Sequence, residues 1–145
     1  MNSYQFSQTS KQRLATCNEN IQKVMNMAIQ RSYVDFGIAE GHRPVKRQQK
    51  LYAKGRTEPG NIVTNVNGIN DIGKHNIFPS DGVDIYAWVN GKAVWDAKYM
   101  YYLAGVILTC AIEVGVSLTW GANWDNDGQL YDDQNFVDLP HFQTD

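Results

Sequence analysis

Val83-Asp84-Ile85-Tyr86-Ala87-Trp88-Val89-Asn90-Gly91-Lys92-Ala93-Val94-Trp95 is the stretch on which the fold turns. Apolar residues at 83, 85, 87 and 89 alternate with Asp84, Tyr86 and Trp88, the period of a strand with one face against a core. Asn90-Gly91 is the dipeptide that closes a two-residue hairpin, because both positions accept positive φ. Lys92 to Trp95 then returns as a second strand. An aspartate inside such an apolar run is costly unless it is paired or bound to a cation, so Asp84 is the first residue to question.

Downstream, Asp96 is placed to cap a helix over 97–114, whose apolar character nearly all round predicts a central, buried element. Its uncharged part, Tyr99 to Ile112, is 14 residues long, short of what spans a bilayer. Gly115 stops the helix. Residues 116–120 read as a strand, 121–135 as a polar loop, and Val137 to Gln143 as a last strand that returns His141 to the side of Asp84. Upstream, residues 8–31 carry helical spacing. Leu14 leads the first part; Ile21, Val24, Met25, Ala28 and Ile29 form the stripe of the second, with Asn18 or Asn20 as its cap. Residues 35–40 read as a short strand ended by Gly41. A helix opens at Pro44 and runs to about Lys54, where Gly55 ends it. The Gly-, Asn- and Pro-rich segment 55–82 is too long for an idle connection. With no repeat and no linker, 1–145 reads as one α+β domain: a small, mostly antiparallel sheet with helices against one face.

Composition narrows the function classes. At 43% hydrophobic and 12% aromatic residues the chain can build a core. A net charge of −2 gives no electrostatic footprint for nucleic acid. Cys17 and Cys110 sit in predicted helices and read as free, buried thiols of a reducing compartment. The polar Met1 to Ser10 lacks the basic and apolar regions of a secretory signal.

Candidate chemistry gathers on two short stretches, 73–85 and Asp138-Leu139-Pro140-His141-Phe142, which hold two of the three histidines. His75, Asp84 and His141 are candidate metal ligands. Two imidazoles and a carboxylate with a fourth position open is how catalytic zinc sites are built, and Asp138 is the spare acid that water activation needs. Asp81 is the fallback ligand and Glu40 the competing base. Arg43 offers a guanidinium for an oxyanion or a substrate carboxylate. His42 has no assigned role. Asp125-Asn126-Asp127-Gly128 with Asp132-Asp133 resembles part of a calcium loop. Its glycine comes too early and no Glu closes it, so a solvated acidic loop is expected. Trp120 and Trp124 could be core or cleft wall.

The same residues carry a family resemblance. His75, Asp84 within Gly-Val-Asp-Ile, and Asp138-x-x-His141 resemble the zinc D-Ala-D-Ala carboxypeptidases and L-alanyl-D-glutamate endopeptidases, many of them phage endolysins. Glu40-Gly41-His42-Arg43-Pro44 with Gln48 or Gln49, and the loop Gly55-Arg56-Thr57 through Ile62-Val63-Thr64-Asn65, extend the likeness over about residues 36–142. Gly73 stands where the family often has Ser. The spacing from His75 to Asp84 is two residues longer than in many members, which places an insertion in the turn at 79–81.

The resemblance implies the Hedgehog/D-Ala-D-Ala peptidase fold and one zinc ion held by His75, Asp84 and His141. It implies Asp138 and Arg43 as catalytic residues, with Gln48, Thr64 and Asn65 along the substrate cleft. The implied activity is hydrolysis of a peptide bond in the peptidoglycan stem, with the choice between L-Ala-D-Glu and D-Ala-D-Ala open. The implied protein is a monomer without membrane insertion, made in the host cytoplasm without a signal peptide and acting in the periplasm or cell wall after release. Two other readings share the ligand set: a catalytically silent zinc-containing binding module, as in the related Hedgehog signalling domain, and a non-haem iron oxygenase. Asp138 argues against the first. The nine-residue gap between His75 and Asp84 argues against the second, whose His and carboxylate usually stand one residue apart.

Overall fold

The computed structural model describes residues 3–130 and 136–145. Helices α1 (Gln8–Leu14) and α2 (Glu19–Arg31) precede strand β1 (Phe36–Glu40) and helix α3 (Val45–Ala53). A long irregular segment, broken by a 3-10 turn at Lys74–Asn76, leads to the hairpin β2 (Gly82–Val89) and β3 (Lys92–Val94). Helix α4 (Ala97–Val114), β4 (Leu118–Gly121) and β5 (Asp138–Thr144) complete the chain. The sheet runs β1-β2-β5-β4, with β3 paired to the far end of β2, and every pairing is antiparallel.

The hairpin forms as its sequence dictates. Asn90 and Gly91 take φ of 52° and 77°, the double left-handed turn whose twist matches the flanking strands. Val83, Ile85 and Ala87 are fully buried, and each buried aliphatic chain contributes roughly 1.5–3 kcal/mol. They meet Ile21, Val24, Met25 and Ala28 of α2 and Met100, Leu103 and Ile107 of α4 in one hydrophobic cluster. Asn18 caps α2, accepting from the Ile21 amide at 2.9 Å. Asp96 occupies the cap position of α4, but its carboxylate makes no capping bond.

One expectation is corrected. Helix α4 is not buried all round. Met100, Leu103, Ala104, Ile107, Cys110 and Ala111 face the core, while Tyr101, Tyr102 and Ile112 face water, Ile112 at 79% exposure. The inner side of α4 meets the sheet and α2, while among the described residues its outer side is left to solvent. It is the one helix, among the described residues, long and apolar enough to cross a membrane, and its inner face is committed to the core. Both cysteines are free and buried, and burial pushes the Cys17 thiol up to about 12.

Candidate active site

Antiparallel register builds the first half of the site. Asp84 on β2 stands directly opposite His141 on β5, so their side chains leave the same face of the sheet. His141 Nδ1 lies 2.9 Å from Asp84 Oδ1. The second half is His75, in the 3-10 turn, whose Nε2 lies 3.1 Å from the same carboxylate oxygen and 3.2 Å from His141 Nδ1. The longer gap between His75 and Asp84 does not disturb this geometry. Its extra residues loop outward, with Phe78 exposed, while Ser80 tucks inward to donate to the Gly82 carbonyl at 2.6 Å.

The outer nitrogen of each ring fixes the inner one. A carbonyl can only accept, so His75 Nδ1–H donates to Gly41 O at 2.7 Å and leaves Nε2 with its lone pair. His141 Nε2–H donates to the Gln143 amide oxygen at 2.9 Å, leaving the lone pair on Nδ1. Two imidazole lone pairs and a carboxylate oxygen therefore converge on one point, an arrangement that repels itself unless a proton or a cation sits within it. Donors about 2.0–2.2 Å from a tetrahedral ion stand about 3.3 Å apart. The observed spacings of 2.9 to 3.2 Å are within a few tenths of that. The residues fit a metal ion, and His75, Asp84 and His141 could hold it.

Electrostatics follow from this packing. With a proton rather than a cation within the cluster, burial would raise the Asp84 carboxyl, but hydrogen bonding with His141 and His75 outweighs it and holds the group far below the usual carboxylate range. Burial would lower His141, and the Asp84 hydrogen bond and charge overcome this and raise it. Glu40 and Asp138, the two candidate bases, move in opposite directions. Glu40 is half-buried, and although its burial would raise it, Arg43 grips both its oxygens, at 2.9 and 2.8 Å, and its pKa falls. Asp138 has no ion pair among the described residues; burial and the nearby Asp84 charge raise it. A raised, unclamped carboxylate beside a metal site is the better proton acceptor near neutral pH.

Arg43 and Gln48 have other partners than substrate. The Arg43 guanidinium spans Glu40 and the Gln48 amide oxygen at 2.9 Å, and lies 3.6 Å from Asp84 Oδ2. It thus braces a ligand. Gln48, 2% exposed, accepts from Arg43 and Asn76 and donates to Thr64 and Val66. An amide has two acceptor and two donor places, so Gln48 has none left for a ligand. Thr64 lines the cleft. Asn65 does not; it is exposed and accepts from Arg56 at 3.3 Å. Asp81 stands away from the donors, accepting from Asn18, and His42 turns outward against Phe78. Trp120 is core, whereas Trp124 packs 5.6 Å from the His141 ring and stacks on Phe136. The cleft over the donors measures about 570 Å³, walled by Trp124 and Phe136 on one side and Leu51, Val63 and Ile72 on another. The Asp132-Asp133 part of the acidic loop lies outside the described residues.

A sequence model of the phage L-alanyl-D-glutamate peptidases matches residues 2–144. The chain belongs to this family. It is 27% identical over 132 residues to the L-alanyl-D-glutamate peptidase of Escherichia phage T5, covering 90% of this chain and 89% of that one. It is 28% identical over 113 residues to the peptidoglycan L-alanyl-D-glutamate endopeptidase CwlK of Bacillus subtilis, covering 76% of this chain and 60% of CwlK. In fold it resembles the crystal structure of the Serratia marcescens L-Ala D-Glu endopeptidase ChiX, with a TM-score of 0.74, 23% identity, and coverage of 99% of this chain and 92% of that one. Membership in a peptidase family sets the oxygenase reading aside.

The reading from sequence missed two members of the site and the engagement of a third. Gln143 could have been found, since it lies two residues beyond His141 on the same strand face. The Gly41 carbonyl carries no sequence signal. The saturation of Gln48 depends on loop atoms 16 to 28 residues away.

Proposed function

We propose that this chain is a zinc-dependent endopeptidase that cleaves the L-alanyl-D-glutamate bond of the peptidoglycan stem peptide, as a monomer, once released from the cytoplasm in which it is made. The observation that carries the reading is the convergence of three lone pairs from His75, Asp84 and His141 beside an unclamped Asp138. Zinc, when bound, supplies Lewis acidity at the open side of the three donors. His75 and His141 are oriented by Gly41 and Gln143, so neither ring turns when the ion arrives. Asp138 accepts a proton from the attacking water and returns it to the departing amine of D-glutamate, so the proton balance closes within one residue. Arg43 holds Asp84 and Glu40 in place. Trp124, Phe136 and Ile72 shield the cleft from bulk water, which strengthens every charge interaction inside it.

The test is digestion of purified peptidoglycan with zinc-loaded protein. New N-terminal D-glutamyl groups should appear with no new reducing ends, and a chelator should stop the reaction until zinc is returned. Release of free alanine from stems ending in D-Ala-D-Ala would instead assign a carboxypeptidase. Reducing ends without new amines would overturn the peptidase reading altogether.

A further inference from the structure

We infer that the aromatic face of the β2–β3 hairpin is a binding site for the sugar strand of peptidoglycan, on the same sheet face as Asp84 of the candidate metal centre. Asp84, Tyr86 and Trp88 alternate on one face of β2, while Val83, Ile85 and Ala87 face the core. Tyr86 therefore follows Asp84 by about 7 Å along the strand and Trp88 by about 14 Å. Trp95, one residue beyond β3, returns to the same face. Its ring centroid lies 6.1 Å from Tyr86, and that of Trp88 lies 6.4 Å from Tyr86.

These rings are exposed yet fixed. Trp88 and Trp95 are 45% and 52% accessible, so one short hairpin leaves its two largest side chains half in water, which folding alone does not ask for. Trp95 is pinned by its indole N–H, which donates to the Ile85 carbonyl at 3.0 Å. Tyr86 lies across Gly37, where a Cβ would strike the ring, and its hydroxyl sits 3.4 Å from Ser10 Oγ. Beside Tyr86 and Trp88 is a hollow of about 190 Å³ edged by Gln5, Ser7, Ser10 and Asp35. Flat π faces beside amide, hydroxyl and carboxylate groups suit a pyranose, whose C–H faces lie on rings while its hydroxyls find polar partners. No lysine or arginine edges the hollow, so neither phosphate nor an anionic lipid surface is matched.

The site rests on the proposed function for its reach. L-alanine is joined directly to the lactyl group of muramic acid, so the bond cut is the first peptide bond out from the sugar. One residue and the lactyl group span roughly 7 Å, the separation of Asp84 from Tyr86. The domain would thereby hold its substrate by the glycan while cutting the peptide.

Two measurements test this. In the first, peptide-free glycan oligosaccharides are titrated against tryptophan fluorescence, which requires no turnover and so survives failure of the peptidase reading. Wild type should saturate; Trp88→Ala with Trp95→Ala should not. Trp88→Leu, which keeps apolar volume, guards against misfolding and should also weaken binding. In the second, kcat/KM is compared on free stem peptide and on the same peptide linked to its disaccharide. Loss of each ring should lower the second value about three- to tenfold, the worth of one aromatic contact, and leave the first unchanged. Equal losses on both substrates, unaltered glycan binding by the double variant, no glycan binding by wild type, or binding instead to phosphatidylglycerol vesicles would overturn the inference.

Discussion

The candidate metal centre is assembled from two regions that are held by different means. Asp84 and His141 stand on paired strands, where the backbone ladder sets their positions and the core beneath locks both strands. His75 stands in the segment between α3 and β2, which has almost no ladder of its own. Side chains do that work. Gln48 ties Thr64 and Val66 to Arg43, Asn76 donates to the Arg43 carbonyl at 2.9 Å, and Arg56 grips the Tyr52 and Thr64 carbonyls while lying over the Tyr52 ring. A ladder is cooperative, whereas a set of side-chain clamps can be released singly. The strand half should therefore persist in conditions that loosen the loop half.

The largest expected effects come from deleting one ligand from each half. His141→Ala and His75→Ala should each reduce bound zinc from near one equivalent to near none, by elemental analysis, and abolish peptidase activity. The two should differ in the protein left behind. His141→Ala removes a residue packed in the strand pair, whereas His75→Ala releases the loop, so faster amide exchange should be confined to residues 61–77 in the second variant. Uniform exchange in both would erase the distinction between the halves, and full zinc retention in either would dismantle the site.

Next in size is Asp138→Asn, which keeps shape and removes the basic oxygen. It should fold, bind zinc and lose about 10²- to 10⁴-fold in kcat, the usual worth of a positioned base. The same change at Glu40 should act differently, by freeing Arg43 and loosening Asp84, and so should weaken zinc affinity as well as rate. Near-normal turnover by zinc-loaded Asp138→Asn would place the base elsewhere.

How much of this could be read from the chain depends on which interactions are local. The hairpin was legible because alternation and Asn90-Gly91 are short-range signals that agree with the tertiary outcome. The same holds for α2, whose stripe spans three turns. The ligands were legible because His75, Asp84 and His141 combine rare residue types with a motif order. Helix α4 misled because composition cannot distinguish a helix buried all round from one whose back is left to water. Gln48 shows a related limit. The resemblance implies it for the substrate cleft, but its four hydrogen-bonding places are taken by groups that only the fold brings near, and Arg43 is partly engaged in the same way. A polar side chain's free capacity is a tertiary property.

Gln48 sharpens the comparison at the level of stability. Gln48→Leu is close in volume but leaves Arg43, Asn76, Thr64 and Val66 each short of a partner in a mostly buried place. Unsatisfied buried groups cost about 1–3 kcal/mol each, less where water reaches them, so a loss of about 2–4 kcal/mol in chemical unfolding is expected. Zinc affinity should fall through His75, whose carbonyl accepts from the Arg43 amide at 2.6 Å, while the hairpin keeps its exchange protection. If Gln48→Leu unfolded at the wild-type denaturant midpoint, the clamps would be ornament and the loop would be held by something else.

The smallest effect is electrostatic and belongs to the strand half, read in chelator-treated protein. Asp84 is depressed in the folded chain, so its contribution is present above the ordinary carboxylate value of about 3.9 and is lost as pH falls through its folded value. His141 is raised, so its contribution is complete below about pH 6.5 and is lost as pH rises through its folded value. Metal-free protein should therefore melt highest between roughly pH 4 and pH 6.5 and lose a few degrees above that window, since about 1 kcal/mol moves a domain of this size by about 2–4 °C. Zinc reverses the slope. Its ligands must be deprotonated to bind, so the stabilisation added by saturating zinc should grow as pH rises through the histidine range, while the metal-free curve declines. The difference between the two melting curves isolates the ion's own contribution, because every other titrating group is common to both. Parallel curves would mean that the ion does not compete with protons at His141, and that the strand pair is not where it binds.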